Sequence, residues 1–356
     1  MRITVNSKVL EYEIRLLNNV ITTKSVLPIL SHILFRAEDA LYLSATDLNV
    51  AMTTTCAATV TEMGAVTLPA KRLLDLLTQL PEGDIQISVE KNQVRLTVGA
   101  FTTRLAMFNP QDFPQIPVAI GAVSSLPAQD MRLIVERTMF AIGKDASQYV
   151  LKGSLLSVRE TVFAMVATDG KRLSVATASC QNGQVRTVIV PLKTLEALLA
   201  FCFGTDILFS TDEKHLFFVN GHRLLVSQML EGQFPKYERI IPKNNELRAL
   251  IDRIKLADAL RRVGVVSGES QAVNFIMTDG HLDLVASTAG IGDAIEGMDA
   301  QYTGPELKIT VNGSYVLDFL DRAGQQLVTI DLKDNLSPML FTDGQDFINV
   351  VMVMRS

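Results

Sequence analysis

Five residues near the middle of the chain, Thr168-Asp169-Gly170-Lys171-Arg172, set a hydroxyl, a carboxylate, a flexible backbone, an ammonium and a guanidinium side by side. They interrupt the alternating stretch VATDGKRLSV (166–175). A related pair, Thr46-Asp47 in SATDLNV, lies 122 residues upstream. The Gly-Lys step suggests a phosphate loop, but the earlier glycine and the following helix of such a loop are missing. The four histidines (His32, His215, His222, His281) have neither HExxH nor HxH spacing. GIGDAIEG (290–297) has the wrong glycine spacing for a dinucleotide loop, G-x-S-x-G is absent, and Asp112 and Asp130 are tied to no recognisable cleft. Nothing here argues for an enzyme, a metal or a cofactor.

Composition narrows the class. The chain has 356 residues, 48% apolar and 20% charged, so a packed core is expected and disorder is not. Cys56, Cys180 and Cys202 are widely spaced and unpaired in pattern, as expected of small buried residues in a reducing compartment. The N-terminus lacks an uninterrupted apolar stretch, and no run of 18 apolar residues occurs, so a cytoplasmic protein without membrane contact is expected. A net charge of −5 gives no global sign of nucleic-acid binding, although a local basic face remains compatible with it.

A threefold repeat of about 121 residues must position whatever chemistry exists. Leu10, Ile14, Leu17 and Ile21 step as on an amphipathic helix; Met131, Val135 and Ile142, then Leu256, Leu260 and Val263, repeat the step. A second helix recurs as PAKRLLDLL (69–77), PLKTLEALL (191–199) and NGSYVLDFL (312–320), with Pro69 and Pro191 where a first-turn proline is tolerated. DFPQIP and QFPKYERIIP pair Phe113 with Phe234 at the repeat exits. Alternating segments separated by turn residues fill the rest. The expectation is an α+β protein of three domains, 1–120, 121–243 and 244–356, each with two helices packed on antiparallel sheet.

Basic residues dot the expected helices: Lys71, Arg72, Arg132, Arg137, Lys193, Arg253, Lys255, Arg261, Arg262 and Arg322. One reading makes them ordinary solvated faces. The other makes them a shared lining for a phosphate backbone, bound without regard to sequence. With no tryptophan and 6% aromatics, base stacking is not expected.

The repeat, LPIL (27–30), ATDGKRL (167–173), FPKYERIIP, NGSYVLDFL and the terminal VVMVMRS together resemble the bacterial DNA polymerase III β subunit, the sliding-clamp family, over essentially the whole chain. The resemblance implies a non-catalytic accessory subunit: a head-to-tail homodimeric ring around duplex DNA, opened by a clamp loader, that tethers the replicative polymerase catalytic subunit and confers processivity. It also implies a hydrophobic pocket in which that polymerase, other DNA polymerases and repair proteins insert a peptide of roughly Gln-Leu-x-Leu-Phe type. By position the pocket comprises Leu151, Thr168, Gly170, Lys171, Arg172, Leu173, Pro235, Arg239, Ile240, Asn312, Tyr315, Val350, Met352, Val353, Met354 and Arg355. Leu151, Leu173, Ile240, Val350 and Met354 are expected to bury the peptide's apolar ends, methionine adapting to different partners. Arg172 and the backbone at Gly170 are expected to fix its polar groups. Lys171 stands where the family often has histidine, Val353 where it often has proline, and Thr103 where a larger apolar residue is common. The first repeat's SATDLNV lacks the Gly-Lys-Arg extension, which points to a peptide site in the middle repeat alone. DNA contacts are expected from Lys24, Lys71, Arg72, Lys144 and Lys193, and dimer contacts from Thr103 and Leu105 against Val265 and Val266. A repeat-built peptide scaffold without a DNA role is the alternative; salt-sensitive DNA association separates the two.

Overall fold

A computed structural model of the chain describes residues 1–22, 26–118, 123–181 and 183–354. Among the described residues are six α-helices, α1 (Ser7–Leu17), α2 (Ala70–Gln79), α3 (Ala128–Thr138), α4 (Leu192–Phe201), α5 (Arg253–Gly264) and α6 (Gly313–Leu320). Each follows directly on a strand. Asn6, Asp252 and Asn312 begin α1, α5 and α6 as caps, their side-chain oxygens accepting first-turn backbone N–H groups. Pro69 and Pro191 are the last residues of strands, one position ahead of the helices, where a missing N–H costs nothing to the helix. The apolar stripes Leu10–Ile14–Leu17, Met131–Val135 and Leu256–Leu260–Val263 are fully buried or nearly so. Ile21 and Ile142 lie past the ends of α1 and α3.

The strands form four sheets, and every pairing is antiparallel. Within each repeat the two halves interlock. Arg2–Asn6 leads into α1 yet pairs with Asp84–Glu90 of the second half, and Gly64–Pro69 leads into α2 yet pairs with His32–Ala37 of the first. The same exchange recurs as Ser124–Pro127 with Asp206–Thr211, and Arg186–Pro191 with Gly153–Val158. It recurs again as Leu247–Asp252 with Leu327–Leu332, and Leu307–Asn312 with Ala272–Thr278.

The chain packs as two compact units: 1–132 with 181–184 and 193–229, and 133–180 with 185–192 and 230–356. The middle repeat is divided between them because each of its meanders extends a neighbour's sheet. In the first unit, Arg223–Gln228 pairs with Val50–Cys56 to complete an eight-stranded sheet, with Ala51 opposite Val226. In the second, Arg172–Ser179 pairs with Phe347–Val351 within a nine-stranded sheet, with Leu173 opposite Val350. A buried ion pair accompanies each seam, Arg223–Glu13 in the first unit and Arg137–Asp343 in the second. Glu13 also accepts the Thr54 hydroxyl, so neither charge is left unpaired in a low dielectric. The other two sheets, of five and four strands, end in Phe101–Ala106 and Gly292–Asp299 respectively, each with a free edge.

Candidate functional site

The second seam gathers several of the expected pocket residues into one buried apolar cluster. Leu151, Leu173, Val175, Phe234 and Val350 form a buried apolar floor with Leu155, Val166, Ile189 and Leu230, and Val150, Tyr237, Ile241, Leu340 and Ile348 pack against it. Two glycines let the chain close here. A Cβ at Gly153 would lie 2.4 Å from the Val190 carbonyl oxygen, and one at Gly232 would lie 2.6 Å from Val150 Cγ1. Burial pushes the Tyr237 phenol pKa up, with Glu238 adding to the effect and Arg159 opposing it.

The TDGKR turn explains itself locally. The Thr168 hydroxyl donates to the Arg172 carbonyl (2.6 Å) and accepts the Gly170 N–H (3.1 Å). Asp169 Oδ1 accepts the N–H groups of Lys171 (2.9 Å) and Arg172 (3.0 Å). The turn needs φ +86° at Gly170, where glycine has no steric penalty. Lys171 faces solvent, and its carbonyl accepts the Met352 N–H at 2.9 Å, extending the seam into the tail. The Met354 N–H then donates to the Thr310 carbonyl at 2.8 Å. Val353 and Met354 are half-buried beside it, while Met352 is 40% exposed.

Arg172 is held by several acceptors of its own chain. Its Nε donates to Asp169 Oδ2 (3.1 Å), one terminal nitrogen to Asp318 Oδ2 (2.5 Å) and the other to the Phe140 carbonyl (2.5 Å). The guanidinium also lies 4.4 Å from the Tyr315 ring centroid, with the side chain 11% exposed. These contacts tie the turn to Asp318, Phe140 and Tyr315. Asn312 is likewise engaged as the α6 cap, its Oδ1 accepting the Ser314 N–H at 2.9 Å. Ile240 is 37% exposed and lies outside the floor; the next residue, Ile241, packs on it, because the 3₁₀ turn Tyr237–Arg239 rotates the pair. Pro235 is half-buried and Arg239 exposed. Arg355 lies outside the described residues. Sequence reasoning did not single out Val150, Phe234, Tyr237 and Ile241, which belong to or pack on this cluster, although the repeated exit segments around Phe113 and Phe234 carried that signal.

The cations divide into two kinds. Lys71 and Arg72 on α2 and Lys144 in its loop are exposed, with no ion-pair partner among the described residues. Lys193 is different: its ammonium donates to the Val20 carbonyl (2.9 Å), Thr22 Oγ1 (2.9 Å) and Asp47 Oδ2 (2.5 Å). These three acceptors make it a strut within the first unit. Arg253, Arg261, Arg262 and Arg322 also have acceptors on nearby carbonyls or carboxylates. Lys24 lies outside the described residues. Thr103 and Leu105 sit half-buried on the free-edge strand Phe101–Ala106, whereas Val265 is 78% exposed just past α5 and Val266 is half-buried. Among the described residues, no group of three His, Cys, Asp or Glu side chains is placed to hold a metal ion, and no helix is long and apolar enough to cross a membrane.

Comparison with known proteins bears on this arrangement. Residues 1–117, 125–236 and 238–355 match the N-terminal, central and C-terminal domains of the DNA polymerase III beta subunit. The chain is 30% identical to the beta sliding clamp of Chlamydia pneumoniae, over 100% of this chain and 99% of that protein. It is 30% identical to the beta sliding clamp of Pseudomonas aeruginosa, over all of both. The crystal structure of the DNA polymerase III subunit beta from Pseudomonas aeruginosa superimposes with a TM-score of 0.96 at 28% identity, covering 100% of each chain. A second Pseudomonas aeruginosa clamp structure, bound to griselimycin, has the same TM-score at 29% identity, again covering 100% of each chain. With three successive family domains and full-length relatives of the same architecture, this chain belongs to the DNA polymerase III beta subunit family, the beta sliding clamps.

Proposed function

We propose that this sliding clamp, working in the cytoplasm as a non-catalytic processivity factor, docks its partners by a short peptide of the Gln-Leu-x-Leu-Phe kind in the groove of the second unit. The carrying observation is the buried apolar floor around Leu173 and Val350, with two apolar side chains of the adjoining segments, Ile240 and Met352, left 37% and 40% exposed. Exposed apolar groups next to a preformed floor gain burial when a partner's leucine and aromatic residues enter. The replicative polymerase catalytic subunit, the clamp loader, and other polymerases and repair proteins would compete for this groove.

Duplex DNA would be held topologically, in a sequence-independent way, with Lys71, Arg72, Lys144 and Lys24 meeting phosphates. The ring would be a head-to-tail homodimer. Each seam in the chain joins the third strand of one repeat half to the last strand of the neighbouring repeat. Under the same rule, Gly292–Asp299 of one copy would join Phe101–Ala106 of the other, with Val265 and Val266 alongside Thr103 and Leu105. That pairing would cover two free edges at once.

The test is fluorescence anisotropy of a labelled Gln-Leu-Ser-Leu-Phe peptide against wild type, Leu173→Ala and Met354→Ala. Saturable binding at roughly micromolar Kd, about −8 kcal/mol, is expected, weakened by either substitution. A folded wild type that leaves the peptide's anisotropy unchanged would remove the groove from the docking role.

A further inference from the structure

We propose that the first unit carries a second, smaller docking pocket, which takes one aliphatic or aromatic side chain from an extended, uncharged peptide segment. The inference rests on the peptide-docking reading of the second unit and extends it to that groove's structural counterpart. Ala51 faces Val226 across the first seam as Leu173 faces Val350 across the second. Phe217 faces Val226 from the adjoining strand, as Leu340 faces Val350. Ile116 packs on this cluster three residues after Phe113, as Tyr237 does three residues after Phe234. The sequence motif thins out between the repeats, but the floor persists in miniature.

The miniature floor opens into a real space. A pocket of about 180 Å³ is lined by Leu48, Ala51, Ile116 and Val226 on its apolar side. Cavities of about 150 Å³ hold a benzene ring, so one leucine or phenylalanine side chain fits, whereas drug-sized sites start at roughly 300 Å³. The rim sets the rest of the chemistry. Asn49 and Gln115 offer amide donors and acceptors suited to an extended backbone, while Gln228 Nε2 donates to the Leu48 carbonyl at 3.3 Å. Among the described residues no lysine, arginine, aspartate or glutamate lines the pocket, and the lining His215 is engaged through Nδ1 with Asp212 Oδ2 at 2.9 Å. The second-unit groove, by contrast, has Lys171 and Arg239 exposed beside it. The smaller pocket therefore selects a neutral segment. Leu48 keeps a 49% exposed apolar side chain at the mouth while adopting φ +80°, a conformation that leucine rarely takes. A partner with two segments could engage both sites on one chain, the second contact becoming intramolecular.

The test is methyl NMR of the full-length, ¹³C-methyl-labelled protein titrated with the capped, uncharged peptide acetyl-Gln-Leu-Ser-Leu-Phe-amide. The Ala51, Ile116 and Val226 methyls are expected to shift saturably, with a Kd roughly tenfold or more above that read at Leu173 and Val350, because fewer apolar groups are buried. Asn49→Trp, an exposed rim substitution, should abolish the first set of shifts and leave the second unchanged. If Leu173 and Val350 respond while the first set stays still at ten times the saturating concentration, the second pocket is overturned and the main groove stands. If the first set shifts equally in Asn49→Trp, the effect is not a pocket and the inference also fails. If neither set responds, both readings fall together.

Discussion

The turns at 46–50 and 168–172 have the same internal hydrogen bonds and different anchors. In both, a threonine hydroxyl donates to the carbonyl four residues on, and an aspartate oxygen accepts two backbone N–H groups. Asp169 is then met by Arg172 from within its own turn, whereas Asp47, with Val50 at the corresponding position, is met by Lys193 from α4. The first turn borrows from a distant helix the cation that the second carries in its own sequence. A carboxylate ordered by backbone donors still needs a countercharge when partly buried, and the fold can supply it from either source.

Arg172→Ala should have the largest effect. It strips Asp169 of its partner, frees Tyr315 and leaves the Phe140 carbonyl unmet. We expect about 2 kcal/mol lost in urea unfolding and at least a tenfold weaker peptide Kd by anisotropy. Lys193→Ala should cost about 1 kcal/mol of first-unit stability, because this pair is more exposed. It should leave the salt dependence of DNA association unchanged, whereas removing Lys71 and Arg72 together should lower that slope by about 2 and leave stability alone. Equal slopes for the two variants would contradict the division between strut and lining.

Exchanging the turn residues sharpens the contrast further. Gly170→Ala meets no atom within 4 Å of the new Cβ, so its cost, about 1 kcal/mol in denaturant melts, isolates the positive φ alone. Leu48→Gly should run the other way, stabilising by about 0.5 kcal/mol as relief of strain outweighs added chain freedom.

The smallest effect concerns acid. His32 and Gly153 hold corresponding places opposite Pro69 and Pro191. His32 is buried, its Nδ1 has no hydrogen-bond partner among the described residues, and it rests 4.5 Å from the Phe108 ring centroid. Burial lowers its pKa, opposed by a backbone contact to Thr67. The unfolded imidazole, at about 6.5, therefore takes its proton first. Stability from this group is complete above pH ~6.5 and declines as pH falls through that value toward the lower folded pKa. His32→Leu should flatten the decline in melts between pH 7 and 5.

The helices and most strands were legible because apolar spacings of 3.6 and 2 residues are local signals, as the stripe Leu256–Leu260–Val263 shows. The strand exchange within each repeat was not: Arg2–Asn6 carries no mark of Asp84–Glu90 as its partner, since such pairing is settled by the whole fold. The apolar cluster at the second seam was legible where burial and repeat position agreed, at Leu151, Leu173 and Val350. The charged residues were harder. Lys193 and Arg172 read as free cations in sequence, and only the placement of Asp47 and Asp318 turns them inward. Ile240 and Ile241 differ by a single step of a 3₁₀ turn, beyond what periodicity resolves.

The exchange of leading strands also governs the order in which the protein can be made. Arg2–Asn6 leaves the ribosome long before Asp84–Glu90, and Ser124–Pro127 long before Asp206–Thr211. No half-repeat can therefore satisfy its own backbone during synthesis. Each early strand waits with an open edge until nearly a whole repeat has emerged. The middle repeat waits longest, because its earlier meander, Gly153–Ser179, is completed on one side only by Phe347–Val351 at the far end of the chain. A stall just before that strand would leave the apolar cluster of the second unit without Val350 and with a bare edge exposed to other chains.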